Sequence, residues 1–364
     1  MKTITKEFPR ENIYPVESLT KGYTPVLFDI ETTGLKAETS YLYLIGALEI
    51  KRDRLIFIQW FAEKPSEELE VLDRFLAWLP DKACLIHFNG RGFDVPYLTK
   101  KCKQFDIPSR LSQMPNIDLY RSFAPLKDYF NMSCRRLVAY EQLIGLDRED
   151  CYNGGELIDV YKEYVGKSKF DKEGAERLLN MLLLHNEEDI RDMVPVLSLF
   201  SYMDLFAGNF SCFNLITDCA EPPTALTIHI ALHHPVPVNH TKTLATMPGL
   251  ENIVVTAEND TVAIRIPIVS DRLKHYYDDY RNYYYLPAED MAVHKSVASC
   301  VEPEHRTAAT KATAYTWAKG EFIPQTGNII KPNFKRELTD AVSFIPINSL
   351  ADDEAVRNYV KALF

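Results

Sequence analysis

The chain has 364 residues, 46% of them hydrophobic and 25% charged, and a formal net charge of −10. Its length favours two domains over one, and its ordinary composition argues against fibrous and disordered classes. It contains neither the run of about 20 apolar residues that a membrane helix needs nor a signal-peptide pattern, so we expect a cytoplasmic protein. Seven cysteines without a CxxC pair argue against a disulfide framework and a zinc ribbon.

The pattern of the first 208 residues predicts an irregular leader at 1–23 and an α/β domain at 24–208. Short apolar runs predict strands at 26–30, 41–50, 54–61, 83–88 and 117–119. Apolar spacing near 3.6 residues predicts helices at 66–79, 93–105, 133–144, 155–164 and 172–199. This order of elements predicts a mixed β-sheet flanked by helices.

Residues 222–364 are expected to form a smaller α+β domain rich in antiparallel strands. Alternation predicts strands at 227–232, 242–247, 252–258 and 261–269, and helices are predicted at 304–314 and 352–363. Asn259 and Asp260 would form a hairpin turn. The tyrosine-rich residues 274–286, and a local excess of basic residues, make this domain a candidate nucleic-acid platform, although packing of the tyrosines inside the domain is the interpretation we favour.

Carboxylates in three segments have a spacing that suits a metal site. Asp29 and Glu31 occupy positions i and i+2 of a predicted strand, so they share one face at its end. Acids beside a buried strand are costly unless a cation that prefers oxygen ligands compensates them. Asp94 opens a predicted helix, and His185 lies one helical turn before Asp189. Each segment also has an ordinary interpretation: a solvated strand end, a helix cap and a polar helix surface.

The three segments, in this order, resemble the motifs of the DEDD superfamily of 3′–5′ exonucleases. The string DIETTG at residues 29–34 resembles the first motif, NGRGFD at 89–94 the second, and the helix that ends in Asp189 the third. Pro96, Tyr97 and the later Asp118 stand in a context most similar to the bacterial YprB-type predicted exonucleases. The resemblance covers roughly residues 24–205.

The resemblance implies a ribonuclease-H-like fold and a metal-dependent 3′–5′ exonuclease that hydrolyses phosphodiester bonds of DNA or RNA by a two-metal mechanism. Two Mg²⁺ or Mn²⁺ ions would be held by Asp29, Glu31, Asp94 and Asp189. His185 would orient or deprotonate the attacking water. The expected substrate is a single-stranded 3′ end, and the residues expected to contact it are Thr32, Leu35, Asn89 and Phe93.

His185 departs from the pattern of the resembling superfamily. One branch of that superfamily has Tyr four residues before the last Asp, and the other has His five residues before it. His185 lies four residues before Asp189, so we expect it in the position of the Tyr. Two alternatives remain open: a structure-selective endonuclease on the same fold, and a catalytically lapsed module that binds nucleic acid or a partner.

Overall fold

The computed structural model describes residues 1–11, 13–150, 152, 154–244, 252–326 and 328–364. The chain divides into two compact units, Met1–Phe200 and Ser201–Phe364. Within the described ranges, no helix combines the length and the apolar character that a membrane crossing requires. Cys151, and the last part of the strand predicted at 242–247, lie outside the described residues.

A mixed six-stranded sheet forms the centre of the first unit. Its strands are β1 (Lys2–Pro9), β2 (Thr24–Thr32), β3 (Leu42–Ile50), β4 (Arg54–Phe61), β5 (Ala83–His87) and β6 (Asn116–Asp118). They are arranged in the order β1-β4-β3-β2-β5-β6. The pairs β2–β5 and β5–β6 are parallel, and the other neighbours are antiparallel. The predicted mixed sheet is therefore confirmed.

Short and long helices follow the strands of the first unit. They are α1 (Glu17–Thr20), α2 (Glu68–Trp78), α3 (Asp94–Gln104), α4 (Leu119–Ser122), α5 (Ala124–Tyr129), α6 (Leu137–Leu143), α7 (Gly154–Lys167), α8 (Lys172–Arg191), α9 (Met193–Val196) and α10 (Phe200–Phe206), the last beginning at the end of the unit. The helix predicted at 172–199 is too long, because α8 ends at Arg191. Pro195 has no N–H group to donate to the carbonyl of Arg191, and its ring clashes sterically with that carbonyl.

Alternation along β2 separates the core from the polar face that carries the acids. The ring of Phe28 stacks on that of Phe75 in α2, with centroids 5.7 Å apart. Asp29, the next residue, points the other way, and Asn186 of α8 contacts it there. Gly46 of β3 makes this approach feasible, because a Cβ atom at that position would collide with Asn186 and Ile190. The helix can therefore lie close enough to the sheet for its polar side chains to reach β2.

Residues 2–9 form β1, whereas the sequence predicted an irregular leader. β1 pairs along its whole length with β4, from Lys2 opposite Phe61 to Pro9 opposite Arg54. None of its residues is fully buried, and charged side chains interrupt the apolar alternation. Such charges are common in edge strands, where they discourage pairing with another chain. Backbone hydrogen bonds to β4 thus define a strand that the apolar pattern does not reveal.

Antiparallel strands dominate the second unit. They are β7 (Cys212–Thr217), β8 (Ala225–Ala231), β9 (His240–Thr243), β10 (Val254–Glu258), β11 (Thr261–Pro267), β12 (Val269–Tyr276), β13 (Tyr283–Leu286), β14 (Met291–His294), β15 (Thr307–Ala308), β16 (Tyr315–Gln325) and β17 (Ser343–Pro346). They form sheets in the orders β7-β8-β11-β10-β9, β12-β16-β17 and β14-β13-β15. One helix, α11 (Asp353–Ala362), follows them and agrees with the helix predicted at 352–363.

Two local predictions for the second unit have opposite outcomes. The hairpin between β10 and β11 is confirmed: Glu258 pairs with Thr261, and Asn259 adopts a φ of +52° in the turn. The helix predicted at 304–314 is wrong, because β15 lies within this range and pairs with β13. The backbone N–H of Thr310 donates to the hydroxyl of Thr313 at 2.9 Å, a local bond that competes with helical hydrogen bonding.

The tyrosines of residues 274–286 make contacts inside the second unit. The rings of Tyr277 and Tyr283 stack with centroids 4.1 Å apart. The hydroxyl of Tyr285 donates to Asp290 at 2.7 Å. These contacts favour the packing interpretation of the segment. The nucleic-acid platform stays a prediction.

Candidate active site

Asp29 and Glu31 lie on one face at the end of β2. This end of the strand extends beyond its pairing with β5. β5 pairs with β2 only as far as Leu27, so the later backbone N–H groups of β2 on that side are available to other partners. The carboxylate of Asp94, the first residue of α3, accepts a hydrogen bond from the backbone of Ile30. The parallel β2–β5 arrangement thus brings the start of α3 against the end of the strand that carries the first two acids.

Helix α8 contributes His185 and Asp189 to the same place. The Nε2 atom of His185 lies 3.4 Å from Oδ2 of Asp189 and 3.6 Å from Oε1 of Glu31. One ligand atom from each of these three residues lies within 4.8 Å of the other two, which is a spacing that could hold a metal ion. Asn186 donates to Oδ2 of Asp29 at 3.1 Å, so a hydrogen bond also links α8 to the side chain of Asp29.

Burial and mutual repulsion raise the pKa of three carboxyl groups in this cluster. Burial raises the pKa of Asp29 well above its usual value, and the charges of Asp94 and Asp189 raise it further. Burial also raises the pKa of Glu31 to about 8, although His185 opposes the shift. The pKa of Asp94 is raised by burial to about 7. Full ionisation of the cluster near neutral pH is therefore unfavourable without a cation, and a divalent ion with oxygen ligands would compensate it.

Arg148 is a cation that the sequence did not indicate for this site. Its Nη1 atom lies 2.6 Å from Oδ1 of Asp189. Its Nε and Nη2 atoms donate to the two carboxylate oxygens of Glu141 at 2.5 and 2.6 Å. Glu141 is fully buried. Arg148 therefore forms a bidentate contact with Glu141 and a further ion pair with Asp189, a predicted metal ligand.

Asp150 is a second residue that the sequence did not indicate. Its Oδ2 atom lies 2.6 Å from Nδ1 of His185, and its side chain is 3% exposed. Burial lowers the pKa of His185, but the charges of Glu31 and Asp189 and the hydrogen bond to Asp150 raise it above its usual value overall. The imidazole therefore has one nitrogen on Asp150 and the other directed at the acid cluster.

A cleft of about 750 Å³ opens on this cluster. Asp29, Glu31, His185 and Asp189 line it, and Arg136, Arg148, Asp150 and Tyr152 line it as well. Asp94 is not a lining residue, and its connection to the cluster is the charge interaction with Asp29 and Asp189. The acids, an imidazole and basic side chains thus share one concave surface.

Three of the four predicted substrate contacts lie along this cleft. Thr32, Leu35 and Phe93 line it, and the side chain of Leu35 is 84% exposed. Asn89 does not line it. Its φ is +63°, and its backbone N–H donates to Asp118 at 3.0 Å, so this residue shapes the turn before α3. The contact predicted for Asn89 therefore has no support in the geometry.

A family model described as the RNase_H superfamily matches residues 26–201. The matched range contains β2 from its third residue onward, the strands β3 to β6 and the helices that carry the cluster. The first unit has a ribonuclease-H-like fold. The predicted fold class is confirmed, and the superfamily includes nucleases. Membership of the DEDD group and of the YprB-type family stays a prediction.

Solved structures resemble part of the chain, and a DNA polymerase is among them. The family B DNA polymerase from the hyperthermophilic archaeon Pyrobaculum calidifontis is similar at 16% identity, with a TM-score of 0.39. The match covers 51% of this chain and 26% of that one. No curated protein sequence matches the chain.

Proposed function

We propose that this protein is a metal-dependent nuclease that hydrolyses phosphodiester bonds, acting as a 3′–5′ exonuclease on single-stranded nucleic acid. The observation that carries the proposal is the convergence of Asp29, Glu31 and Asp189 with His185 at one cleft, with Asp94 close enough to influence the pKa of Asp29. Acids at this density resist ionisation unless a cation is present, as the raised pKa values of Asp29, Glu31 and Asp94 indicate. A site of this kind suits the hydrolysis of a charged phosphodiester, in which cations offset negative charge.

The donor set fits two divalent cations. Carboxylate oxygens are the ligands that Mg²⁺ and Mn²⁺ favour, and Mn²⁺ also accepts imidazole nitrogen. Asp29, Glu31, Asp94 and Asp189 would hold the ions, with Asp29 central because the other three all influence its pKa. When bound, the ions would supply the charge that activates water and stabilises the leaving oxygen.

The remaining residues of the cleft have roles that follow from their chemistry. Bound cations would lower the pKa of His185 again, and the neutral imidazole then accepts the proton of the attacking water at Nε2, the nitrogen that faces Glu31 and Asp189. Arg136 is exposed on the cleft wall and binds a phosphate of the substrate. Leu35 and Phe93 offer apolar surface to the terminal nucleotide.

The test is incubation of 5′-labelled single-stranded DNA and RNA with Mn²⁺ or Mg²⁺, compared with EDTA. We expect a ladder of products that shorten from the 3′ end, which Asp29→Asn abolishes. Asp73→Asn, a substitution of an exposed acid on α2, is the matched control and should cleave like the wild type.

Two further outcomes would contradict the proposal in different ways. Cleavage of circular single-stranded DNA would instead indicate a structure-selective endonuclease, because a circle has no 3′ end. Binding of Mn²⁺ without cleavage of any of these substrates would instead indicate a catalytically lapsed module.

A further inference from the structure

We infer that Asp150 is a positioning residue that holds His185 in the tautomer required to accept a proton at Nε2. The inference rests on the proposed nuclease activity of the acid cluster. A short polar contact of the imidazole joins Nδ1 of His185 to Oδ2 of Asp150 at 2.6 Å. Asp150 lies 35 residues from His185 in the chain, in the segment before α7, so only the folded protein brings the two together.

The chemistry of a carboxylate fixes the direction of this hydrogen bond. An ionised Asp can only accept, so the Nδ1 atom of His185 must carry the proton. In the neutral imidazole the Nε2 atom is then bare. That atom lies 3.4 Å from Asp189 and 3.6 Å from Glu31, where a proton acceptor is needed. Carboxylate–histidine pairs hold imidazoles in one orientation at many metal sites.

Asp150 is itself fixed by contacts that do not involve His185. Its Oδ1 atom accepts from the backbone N–H of Tyr152 at 3.2 Å. The carboxylate of Glu188 accepts from the backbone N–H of Asp150 at 2.9 Å and from that of Glu149 at 3.0 Å. Glu188 is buried on α8, three residues after His185. One helix therefore supplies both the imidazole and the group that anchors its partner, so Asp150 cannot follow the imidazole if the ring turns.

If Asp150 only stabilised the local turn, Asp150→Asn should leave His185 unaffected. The contact of Asp150 with Tyr152 stabilises a turn, and an Asn at position 150 can keep that contact through its amide oxygen. The amide NH₂ group would then face His185 and donate to Nδ1. The ring proton would move to Nε2, where the imidazole could no longer accept one. Asp150→Asn should therefore preserve the turn and change the tautomer.

The kinetic experiment is a double-mutant cycle. Asp150→Asn should lower kcat roughly 10–100-fold, the usual cost of losing such a supporting carboxylate, and leave KM unchanged. In the His185→Ala background the same substitution should cost nothing further. Asp147→Asn, at an exposed acid of the same segment, is the matched control and should not change kcat. An equal loss in both backgrounds, or no loss in either, would overturn the inference.

A second measurement does not depend on cleavage. In ¹⁵N-histidine-labelled protein, the Nδ1 proton of His185 should give a protected downfield NMR signal, assigned by its disappearance in His185→Ala. Asp150→Asn should remove or shift that signal. If the wild type cleaves no nucleic acid, the nuclease proposal fails while this signal still decides the role of Asp150. An unchanged signal in Asp150→Asn would refute that role.

Discussion

Acidic side chains in the two units of this protein have opposite environments. In the second unit, Asp290 accepts hydrogen bonds from the hydroxyls of Tyr285 and Tyr315 at 2.7 and 2.5 Å, and these bonds lower its pKa. In the first unit, burial and the neighbouring acids raise the pKa of Asp29. Hydroxyl groups of the protein therefore donate hydrogen bonds to Asp290. The acids around Asp29 instead repel one another, and this repulsion is not fully compensated by positive charge. The contrast distinguishes an acid that stabilises its surroundings from acids that require a cation.

The largest expected effect of this contrast is at Asp29. Asp29→Asn should abolish metal-dependent cleavage and also the rise in unfolding temperature that Mn²⁺ gives the wild type. In EDTA the variant should unfold about 2–4 °C higher for each kcal/mol of repulsion it relieves. Asn186 can still donate to the amide oxygen at position 29, so the link between α8 and β2 remains. Thermal unfolding with and without Mn²⁺ measures both effects.

Asp73→Asn is the control for this experiment, because Asp73 is exposed on α2. It should respond to Mn²⁺ like the wild type. A full Mn²⁺ response in Asp29→Asn would remove Asp29 from the site.

The next largest effect is expected at His185. His185→Ala should lower kcat roughly 10²–10⁴-fold, the usual contribution of a positioned general base. His185→Tyr should retain more activity than the Ala variant, because a Tyr hydroxyl can hold the water from the same helical position. Single-turnover cleavage of labelled DNA measures the rate. If Ala and Tyr variants both cleave at the wild-type rate, His185 takes no part in the reaction.

Local periodicity explains which parts of the site were predictable. Asp29 and Glu31 share a face because strands alternate, and His185 and Asp189 share one because helices repeat every 3.6 residues. Both relations can be counted directly in the sequence. The mixed sheet could be predicted for the same reason, from the lengths and spacing of apolar runs.

Long-range contacts explain what was missed. Arg148 and Asp150 belong to a charged string, DRED, that has the composition of a solvated loop. Their roles appear only through contacts with Asp189 and His185 on α8, more than 30 positions later. Asp290 was missed in the same way, because its partner Tyr315 lies 25 residues away. Local patterns in a single sequence do not predict contacts between residues so far apart.

The pH dependence of stability should separate the two kinds of acid. In EDTA, the raised pKa of Glu31 means that the folded state holds a proton that the unfolded state releases. The stability that this group contributes is present below its ordinary pKa of 4.5 and is lost as pH rises through about 8. Glu31→Gln removes this titration, so its free energy of unfolding should fall less between pH 5 and 8. Urea unfolding in EDTA at several pH values measures the slopes.

Glu70→Gln, at an exposed acid of α2, is the matched control and should keep the wild-type slope. Parallel curves for Glu31→Gln and the wild type would show that Glu31 is ionised in the folded protein without a cation, against the charge shortage inferred above.

The smallest effect is expected at Asp290, on the other side of the comparison. Asp290→Ala removes the acceptor for the hydroxyl of Tyr315, which is buried, whereas the indole N–H of Trp317 keeps the backbone carbonyl of residue 290 at 2.8 Å. Leaving a buried donor without a partner costs about 1–3 kcal/mol of unfolding free energy. Asp290→Asn keeps one acceptor oxygen and should lose less unfolding free energy.

Neither variant should change the unfolding-temperature shift caused by Mn²⁺ or the cleavage rate, because Asp290 accepts hydrogen bonds from protein donors and needs no cation. Urea unfolding and the Mn²⁺ response, measured on the same preparations, check both statements. A reduced Mn²⁺ response in Asp290→Asn would mean that this acid also takes part in cation binding, and the distinction drawn between the two environments would fail.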